Sequence, residues 1–164
     1  MGNFRTTQKD VQKYGPRLEI ELGPPIVKSP TGIITQKNIS LSSQARYSRM
    51  PALIDTGASR TVITPEAVAR VGLRQVDEIE VSRPGGSDKR GVFVASVQFP
   101  RQKLSTIEAM EVICCELPDQ PIQCLLGRDV LSRWVFTYNG PEKTWEISEE
   151  DVAAWIDPED NSGY

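Results

Sequence analysis

Short strand-like segments, most of them followed closely by glycine, proline or asparagine, recur along this sequence. In these segments apolar residues alternate with polar ones or form a brief apolar run, and they occupy 17–22, 52–54, 61–63, 78–81, 92–99, 110–117, 134–138 and 144–147. A period of two places successive side chains on opposite faces of a strand, whereas a helix needs a period near 3.6. We expect 78–81 and 92–99 to pair as a long hairpin with a glycine-rich tip at 84–87. The pattern predicts an all-β fold.

Two short helices are expected between the strands. Residues 65–71 follow Thr64, a hydroxyl residue suited to cap a helix N-terminus, and begin with a proline. Gly72 supplies the C-terminal stop. A second short helix is predicted over 127–133. The expected class is therefore all-β with one or two short helices.

Composition and charge exclude several functions. A chain of 164 residues, 38% hydrophobic and 25% charged, is long enough for one domain with a packed core. Its net charge of -3 provides no basic field, so nucleic acid is not an expected partner. The sequence has no histidine, which excludes Ser-His-Asp and Cys-His catalysis and HExxH zinc sites. Carboxylate, Ser/Lys or thiol chemistry remains.

The three cysteines, Cys114, Cys115 and Cys124, predict neither a disulfide framework nor a zinc site. Their number is odd, two are adjacent and none form a CxxC motif, which fits a reducing compartment. The first 17 residues hold no apolar run for secretion, and no stretch is apolar enough to span a bilayer. We therefore expect a cytoplasmic protein with no membrane partner. Cys124, beside Leu125, is expected at a pocket rim open to oxidation.

The two ends of the chain differ from its middle. We divide it into a polar N-terminal extension at 1–16, a folded domain at 17–147 and an acidic tail at 148–164. Between 142 and 164 there are eight acidic residues against one lysine, which favours a solvated tail. Alternatively, the apolar residues within 152–156 dock on the domain or on a partner.

Two further stretches have expected places in the fold. Residues 23–49 mix Pro, Gly, Ser and Thr with short apolar runs and predict a long connection. Trp134, Phe136 and Tyr138 fall on one strand face, an aromatic row typical of a core.

The most informative segment for chemistry is 53–59, which reads Leu-Ile-Asp-Thr-Gly-Ala-Ser. Two apolar residues bring Asp55 to the end of a buried strand, a hydroxyl residue follows, and Gly57 lets another chain approach closely. A structural alternative is an Asx turn in which Asp55 bonds only to backbone amides. The triplet alone does not separate these interpretations.

A second segment, 125–131, reads Leu-Leu-Gly-Arg-Asp-Val-Leu, which by itself fits an ordinary strand leading into a helix. Together with 53–59 and the hairpin tip at 84–87, in this chain order, it resembles the retropepsins. These are the single-domain aspartic proteases of retroviruses and their cellular and bacterial relatives. The resemblance covers roughly 17–147 and implies a closed, barrel-like retropepsin fold.

The resemblance implies roles for the residues of the first motif. Asp55 matches the catalytic aspartate, and the loop that supports it consists of Thr56, Gly57, Ala58 and Ser59. Thr56 matches the hydroxyl residue that joins the two active-site loops. Gly57 matches the glycine whose carbonyl meets the substrate backbone.

The remaining matches lie in the hairpin and the second motif. Gly85 and Gly86 match the flap that covers substrate, and Leu125 matches a pocket-lining position. Gly127 and Arg128 match structural residues near the site.

The sequence departs from the retroviral pattern at the partner of Arg128. The acid that often pairs with the family's arginine is replaced by Ser59, which is followed by Arg60. Asp129 and an acid from another subunit remain the expected partners.

A single Asp-Thr-Gly motif implies that two chains form the site. Hydrolysis without a metal or a covalent intermediate needs one base and one acid, and two carboxylates that share a proton supply both. The resemblance therefore implies a homodimer in which each chain contributes Asp55, with an extended polypeptide as substrate. We expect no cofactor and no metal.

Two other interpretations remain open. The chain could be a catalytically inactive dimeric module on the same fold that binds extended peptides or a protein partner. It could also be an unrelated β-rich interaction domain with a chance Asp-Thr-Gly. The intact motif favours the enzyme, an aspartic-type endopeptidase.

Overall fold

The computed structural model describes residues 2–26, 46–83, 86–117 and 121–149. Within these ranges the chain forms ten strands and three short helices. The strands are β1 (Asn3–Thr7), β2 (Arg17–Gly23), β3 (Ser48–Ile54), β4 (Val62–Ile63), β5 (Gln75–Arg83), β6 (Gly86–Gln98), β7 (Ile107–Cys114), β8 (Cys124–Leu126), β9 (Val135–Asn139) and β10 (Thr144–Ser148). The helices are α1 (Val11–Tyr14), α2 (Pro65–Val71) and α3 (Arg128–Leu131).

Six strands form a closed ring. Around it they follow the order β2, β3, β8, β4, β7 and β6, and β6 returns to β2 through pairs such as Leu22 with Val97. β3 runs parallel to β8 and β4 parallel to β7, while the other neighbours are antiparallel. β5 extends the sheet from β6 as a hairpin. The predicted all-β class with short helices and a closed sheet is confirmed.

The alternation seen in the sequence places one face of each strand in the core. Leu18, Ile20 and Leu22 of β2 are buried, whereas Glu19 and Glu21 between them are partly exposed. Alternate residues of β3 are buried in the same way. Each aliphatic side chain removed from water stabilises the fold by about 1.5–3 kcal/mol. Burial of one face of each strand therefore favours closure of the sheet.

Helix α2 has the predicted bounds because its signals are local. Thr64 Oγ1 accepts a hydrogen bond from Ala67 N at 3.3 Å, and Pro65 occupies the first position. At the other end Gly72 has a left-handed φ of 75° and its N–H donates to Val68 O. Such caps satisfy backbone groups that the helix itself leaves unpaired.

A second sheet has the strand order β1, β10, β9. Strand β1 lies in the segment that we expected to be a polar extension, and the sequence did not predict it. Phe4 pairs across from Ile147, and its ring lies 5.2 Å from that of Trp145. The stabilising partner is near the other end of the chain, so no local pattern marks the strand. The domain boundaries at 16 and 148 stay a prediction.

Two expectations about 127–138 are wrong in part. Tyr138 is 46% exposed because β9 is an edge strand, so the aromatic row does not lie wholly in the core. Trp134 and Phe136 do pack against the core. Helix α3 ends at Leu131 rather than at 133. The turn that follows is closed by hydrogen bonds that span three residues instead of four, such as Trp134 N to Leu131 O.

Several expected features lie outside the described residues. They are most of the long connection, 27–45, the hairpin position Gly85, and the tail from 150 onward. Among the residues that are described, no helix is long and apolar enough to cross a membrane. The same residues hold no cluster of three side chains that could bind a metal ion.

Candidate active site

Asp55 lies at the end of β3, directly after the buried Ile54. Its N–H donates to Leu126 O at 3.0 Å, and its Oδ1 accepts from Gly57 N at 2.8 Å. The second bond is that of an Asx turn, so the structural alternative describes the local geometry correctly. Asp55 nevertheless stays partly exposed. The turn fixes one carboxylate oxygen while the group remains at the surface.

The second motif lies beside the first because β8 runs parallel to β3. The two strands pair Leu125 with Leu53, and both side chains are partly buried. Beyond the strands, Arg128 N donates to Ala58 O at 2.9 Å. The structure therefore brings together the predicted site residues at 55–59 and 125–128.

Gly127 is required by the close approach of the two loops. A Cβ at this position would lie 2.6 Å from both the carbonyl carbon and the oxygen of Arg60. Its φ of -88° is open to any residue, so the requirement is one of space and not of backbone conformation.

Arg128 binds backbone carbonyls. Its Nη1 donates to Thr56 O at 2.9 Å and to Gly57 O at 3.2 Å. The expectation that Asp129 is its partner is wrong, because the Asp129 carboxylate accepts from Thr61 N at 2.8 Å and from Thr61 Oγ1 at 2.7 Å. The positive charge of Arg128 thus lies on the loop that carries Asp55.

Thr61 and Asp129 were missed as site residues. Thr61 is fully buried at the end of the first loop, and Asp129 lies in the first turn of α3. They are 68 positions apart, so only the fold brings them together. Thr61 lies four positions after Gly57 and Asp129 two positions after Gly127, so no shared spacing in the two motifs marks them as a pair.

The surface of the first loop is open to solvent. Thr56, Gly57 and Ser59 are exposed. Arg60, which follows them, forms an ion pair with Glu111 on β7, with Nη2 and Oε2 2.6 Å apart. The implied role of Thr56 in joining two active-site loops stays a prediction.

The expected β5–β6 hairpin forms, but 78–81 pairs with 88–91 and not with the apolar run at 92–99. Its register brings Arg83 opposite Gly86, and Gly86 has a φ of 147°, a conformation that residues with a Cβ rarely adopt. Lys89 Nζ lies 3.0 Å from Glu78 Oε1 across the two strands. The implied function of this hairpin as a flap stays a prediction.

The expectation that Cys124 lines a pocket rim is wrong. In β8 it pairs with Ala52 and Ile63, and it is fully buried. Burial, followed by the negative charge of Asp129, raises the pKa of the Cys124 thiol far above its ordinary value. Burial also raises the pKa of Cys114. A low thiol pKa is what reactive cysteines need, so neither thiol has the character of a nucleophile.

Comparison with known proteins identifies the family. Residues 45–133, more than half of the chain, match the family described as "gag-polyprotein putative aspartyl protease". The matched region includes both motifs and the hairpin between them. No curated protein matches the sequence.

Two solved structures are similar to this chain. A retropepsin-like aspartic protease from Rickettsia conorii is 18% identical, with a TM-score of 0.45, over 80% of this chain and 91% of that one. EIAV protease, complexed with the inhibitor HBY-793, is 24% identical, with a TM-score of 0.36, over 51% of this chain and 75% of that one. On the family match, the chain belongs to the retropepsin-like gag-polyprotein aspartyl proteases.

Proposed function

We propose that this protein is an aspartic endopeptidase that hydrolyses peptide bonds as a homodimer. Each chain contributes one Asp55, and the two carboxylates activate a water molecule between them. The observation that carries the proposal is the placement of Asp55. It follows a buried strand, its Oδ1 is held by Gly57 N, and its loop is both exposed and held in place by the second loop.

The need for a second chain follows from the chemistry of the two loops. One carboxylate does not serve as base and acid in the same step. The other acid in these loops, Asp129, has both oxygens bonded to Thr61 and is therefore occupied. A second copy of the exposed Asp55 loop supplies the missing group when a two-fold axis places the loops together.

In the dimer the two Asp55 carboxylates share one proton, because like charges in contact disfavour double ionisation. The ionised group takes a proton from water as the water oxygen attacks the peptide carbonyl carbon. The protonated group gives its proton to the carbonyl oxygen, which forms a tetrahedral diol. When the C–N bond breaks, one diol hydroxyl returns its proton to a carboxylate, and the amine takes the proton that the base had received. The shared proton is thereby restored.

An extended polypeptide fits this site best. The backbone near Gly57 and the β5–β6 hairpin offer hydrogen bonds to an extended main chain, and its side chains would point alternately into pockets. Leu125, partly buried beside Leu53, provides an apolar wall for such a pocket. Closure of the hairpin over the peptide would exclude water from the reaction.

The test is digestion of a peptide library, with cleavage detected by mass spectrometry. Asp55→Asn should fold and dimerise but leave the library uncut, because an amide of similar shape does not act as the base. The matched control is Asp10→Asn, since Asp10 is exposed and makes no side-chain cap to α1. This variant should cut as the wild type does.

Two results would contradict the proposal. One is activity of Asp55→Asn within about a factor of ten of wild type, which is far above what loss of a general base leaves. The other is binding of library peptides by the wild type with no cleavage at any pH at which the protein stays folded. The second result would favour the inactive peptide-binding module.

A further inference from the structure

The two loops of the candidate site meet at the buried side chain of Thr61. Its hydroxyl both donates and accepts a hydrogen bond. It donates to Asp129 Oδ1 at 2.7 Å and accepts from Gly127 N at 3.2 Å. Its N–H donates to Asp129 Oδ2 at 2.8 Å. One threonine therefore holds both carboxylate oxygens and a backbone amide of the opposite loop, in a place with no solvent exposure.

We infer that Thr61 and Asp129 are positioning residues that determine where the Asp55 carboxylate points. The inference rests on the proposed function. A first line of contacts passes through the backbone of the second loop. Thr61 holds Gly127 N, and the preceding residue, Leu126, accepts the bond from Asp55 N at 3.0 Å.

A second line of contacts passes through α3. Asp129 fixes the first turn of this helix, which begins at Arg128. Arg128 N donates to Ala58 O at 2.9 Å, and its Nη1 donates to Gly57 O at 3.2 Å. Gly57 N in turn holds Asp55 Oδ1 at 2.8 Å. Both the backbone and the carboxylate of Asp55 are thus placed relative to the Thr61–Asp129 pair.

A two-fold axis makes the reaction sensitive to this placement. The two copies of Asp55 must approach within hydrogen-bonding distance to share a proton and a water molecule. A shift of the loop moves both carboxylates, in directions related by the axis, so the error in their separation is up to twice the shift of one chain. A misplacement near 1 Å costs about a hundredfold in rate. The effect should fall on kcat, because most substrate contacts lie elsewhere.

The test compares two buried threonines that each lose one hydroxyl. Thr61→Val removes the two hydroxyl bonds, to Asp129 Oδ1 and from Gly127 N, and leaves the backbone bond to Asp129 Oδ2 in place, whereas Thr61→Ser keeps all three. Thr64→Val is the matched control, because Thr64 is also buried but caps α2 instead. Each variant is measured for kcat and KM per folded dimer, with the dimer quantified by sedimentation. We expect Thr61→Val to lower kcat at least tenfold with KM within about threefold, and Thr61→Ser to restore kcat to within about threefold.

The control separates positioning from stability. Thr64→Val should lower the melting temperature and leave kcat per folded dimer unchanged. If Thr61→Val behaves in the same way, the inference is wrong although the proposed function stands.

A second readout does not depend on activity. Amide hydrogen exchange is measured over 55–58 in the wild type, Thr61→Val and Thr64→Val. Faster exchange at 55–58 in Thr61→Val than in Thr64→Val supports the coupling, even if the wild type proves inactive and the proposed function fails. Equal exchange in the two variants overturns the inference.

Discussion

The paired loops that carry Asp55 and the outer part of the β5–β6 hairpin are held in opposite ways. The loops, 55–61 and 126–130, are joined by hydrogen bonds between segments about 70 positions apart, and Gly127 packs directly on the Arg60 backbone. The outer hairpin, 78–83 with 86–91, pairs strand to strand within itself. Most of the described side chains in this part of the hairpin are exposed.

The difference matches the demands of the proposed reaction. A carboxylate pair must be held at a fixed separation, whereas a hairpin that covers a bound peptide must open to admit it. Few buried contacts and many exposed hydrogen bonds are the physical marks of a segment that opens readily. Under the proposed function, the tightly held loops serve as the fixed half-site and the hairpin as the weakly held cover.

The largest expected effect is that of breaking the fixed half-site with Gly127→Ala. The added Cβ would lie 2.6 Å from the Arg60 backbone, so the loops must separate. We expect a loss of about 2–4 kcal/mol in the free energy of unfolding, measured by urea denaturation. Gly140→Ala is the control, since its Cβ would meet only Tyr138 Cε1 at 3.4 Å. Equal stability of the two variants would mean that the loops are not tightly packed.

Hydrogen exchange compares the two regions directly in the wild type. Amides of the outer hairpin, 78–83 and 86–90, should exchange at least about tenfold faster than those of Asp55, Thr61 and Gly127. The measurement is exchange at neutral pH followed by mass spectrometry of peptides from each region. Similar exchange rates in both regions would contradict the claim that the loops are held more tightly than the outer hairpin.

The titration of Cys124 tests how deeply the strand that leads into the second loop is buried. Burial raises the pKa of this thiol above its ordinary value of 9.0. As the pH rises past 9, the unfolded chain therefore loses the thiol proton while the folded protein keeps it. The contribution of this thiol to the free energy of unfolding is therefore fully present below pH 9 and falls as the pH rises. Relative to Cys124→Ala, the wild type should lose about 1 kcal/mol of its free energy of unfolding between pH 9 and pH 10, as measured by urea denaturation. If the difference in free energy of unfolding between the wild type and Cys124→Ala stays constant with pH, the burial of this thiol is contradicted.

The smallest effect is expected on the hairpin surface. The Lys89 and Glu78 side chains are 77% and 48% exposed, so water screens their ion pair. Lys89→Ala and Glu78→Ala should each change the free energy of unfolding by less than about 0.5 kcal/mol. A double-mutant cycle that gives a coupling above about 1 kcal/mol would show that the hairpin is held more firmly than its exposure indicates.

The parts of the fold that the sequence predicted are those whose signals are local. The bounds of α2 follow from Thr64, Pro65 and Gly72, which all lie within or next to the helix. Alternating residues predicted β2 because burial of one face repeats every second position. Strand β1 had no such signal, since Phe4 is stabilised by Trp145 from the other end of the chain.

The candidate site divides in the same way. Asp55 and Gly127 were predicted because each lies in a short motif with a recognisable order of residue types. The contacts of Arg128 were not predicted, since they go to backbone carbonyls, which every residue has. The Thr61–Asp129 contact depends on β8 lying beside β3, an arrangement that no local pattern specifies.

The central claim is that two chains share one active site, and a mixing experiment tests it most directly. Wild-type protein at constant concentration is mixed and equilibrated with increasing Asp55→Asn protein, and the cleavage rate is measured. Random exchange of subunits in a stable dimer should lower the rate to about one half at an equal ratio and about one quarter at threefold excess of the variant. A rate that stays constant at every ratio would show that a single chain is active and would contradict the shared site.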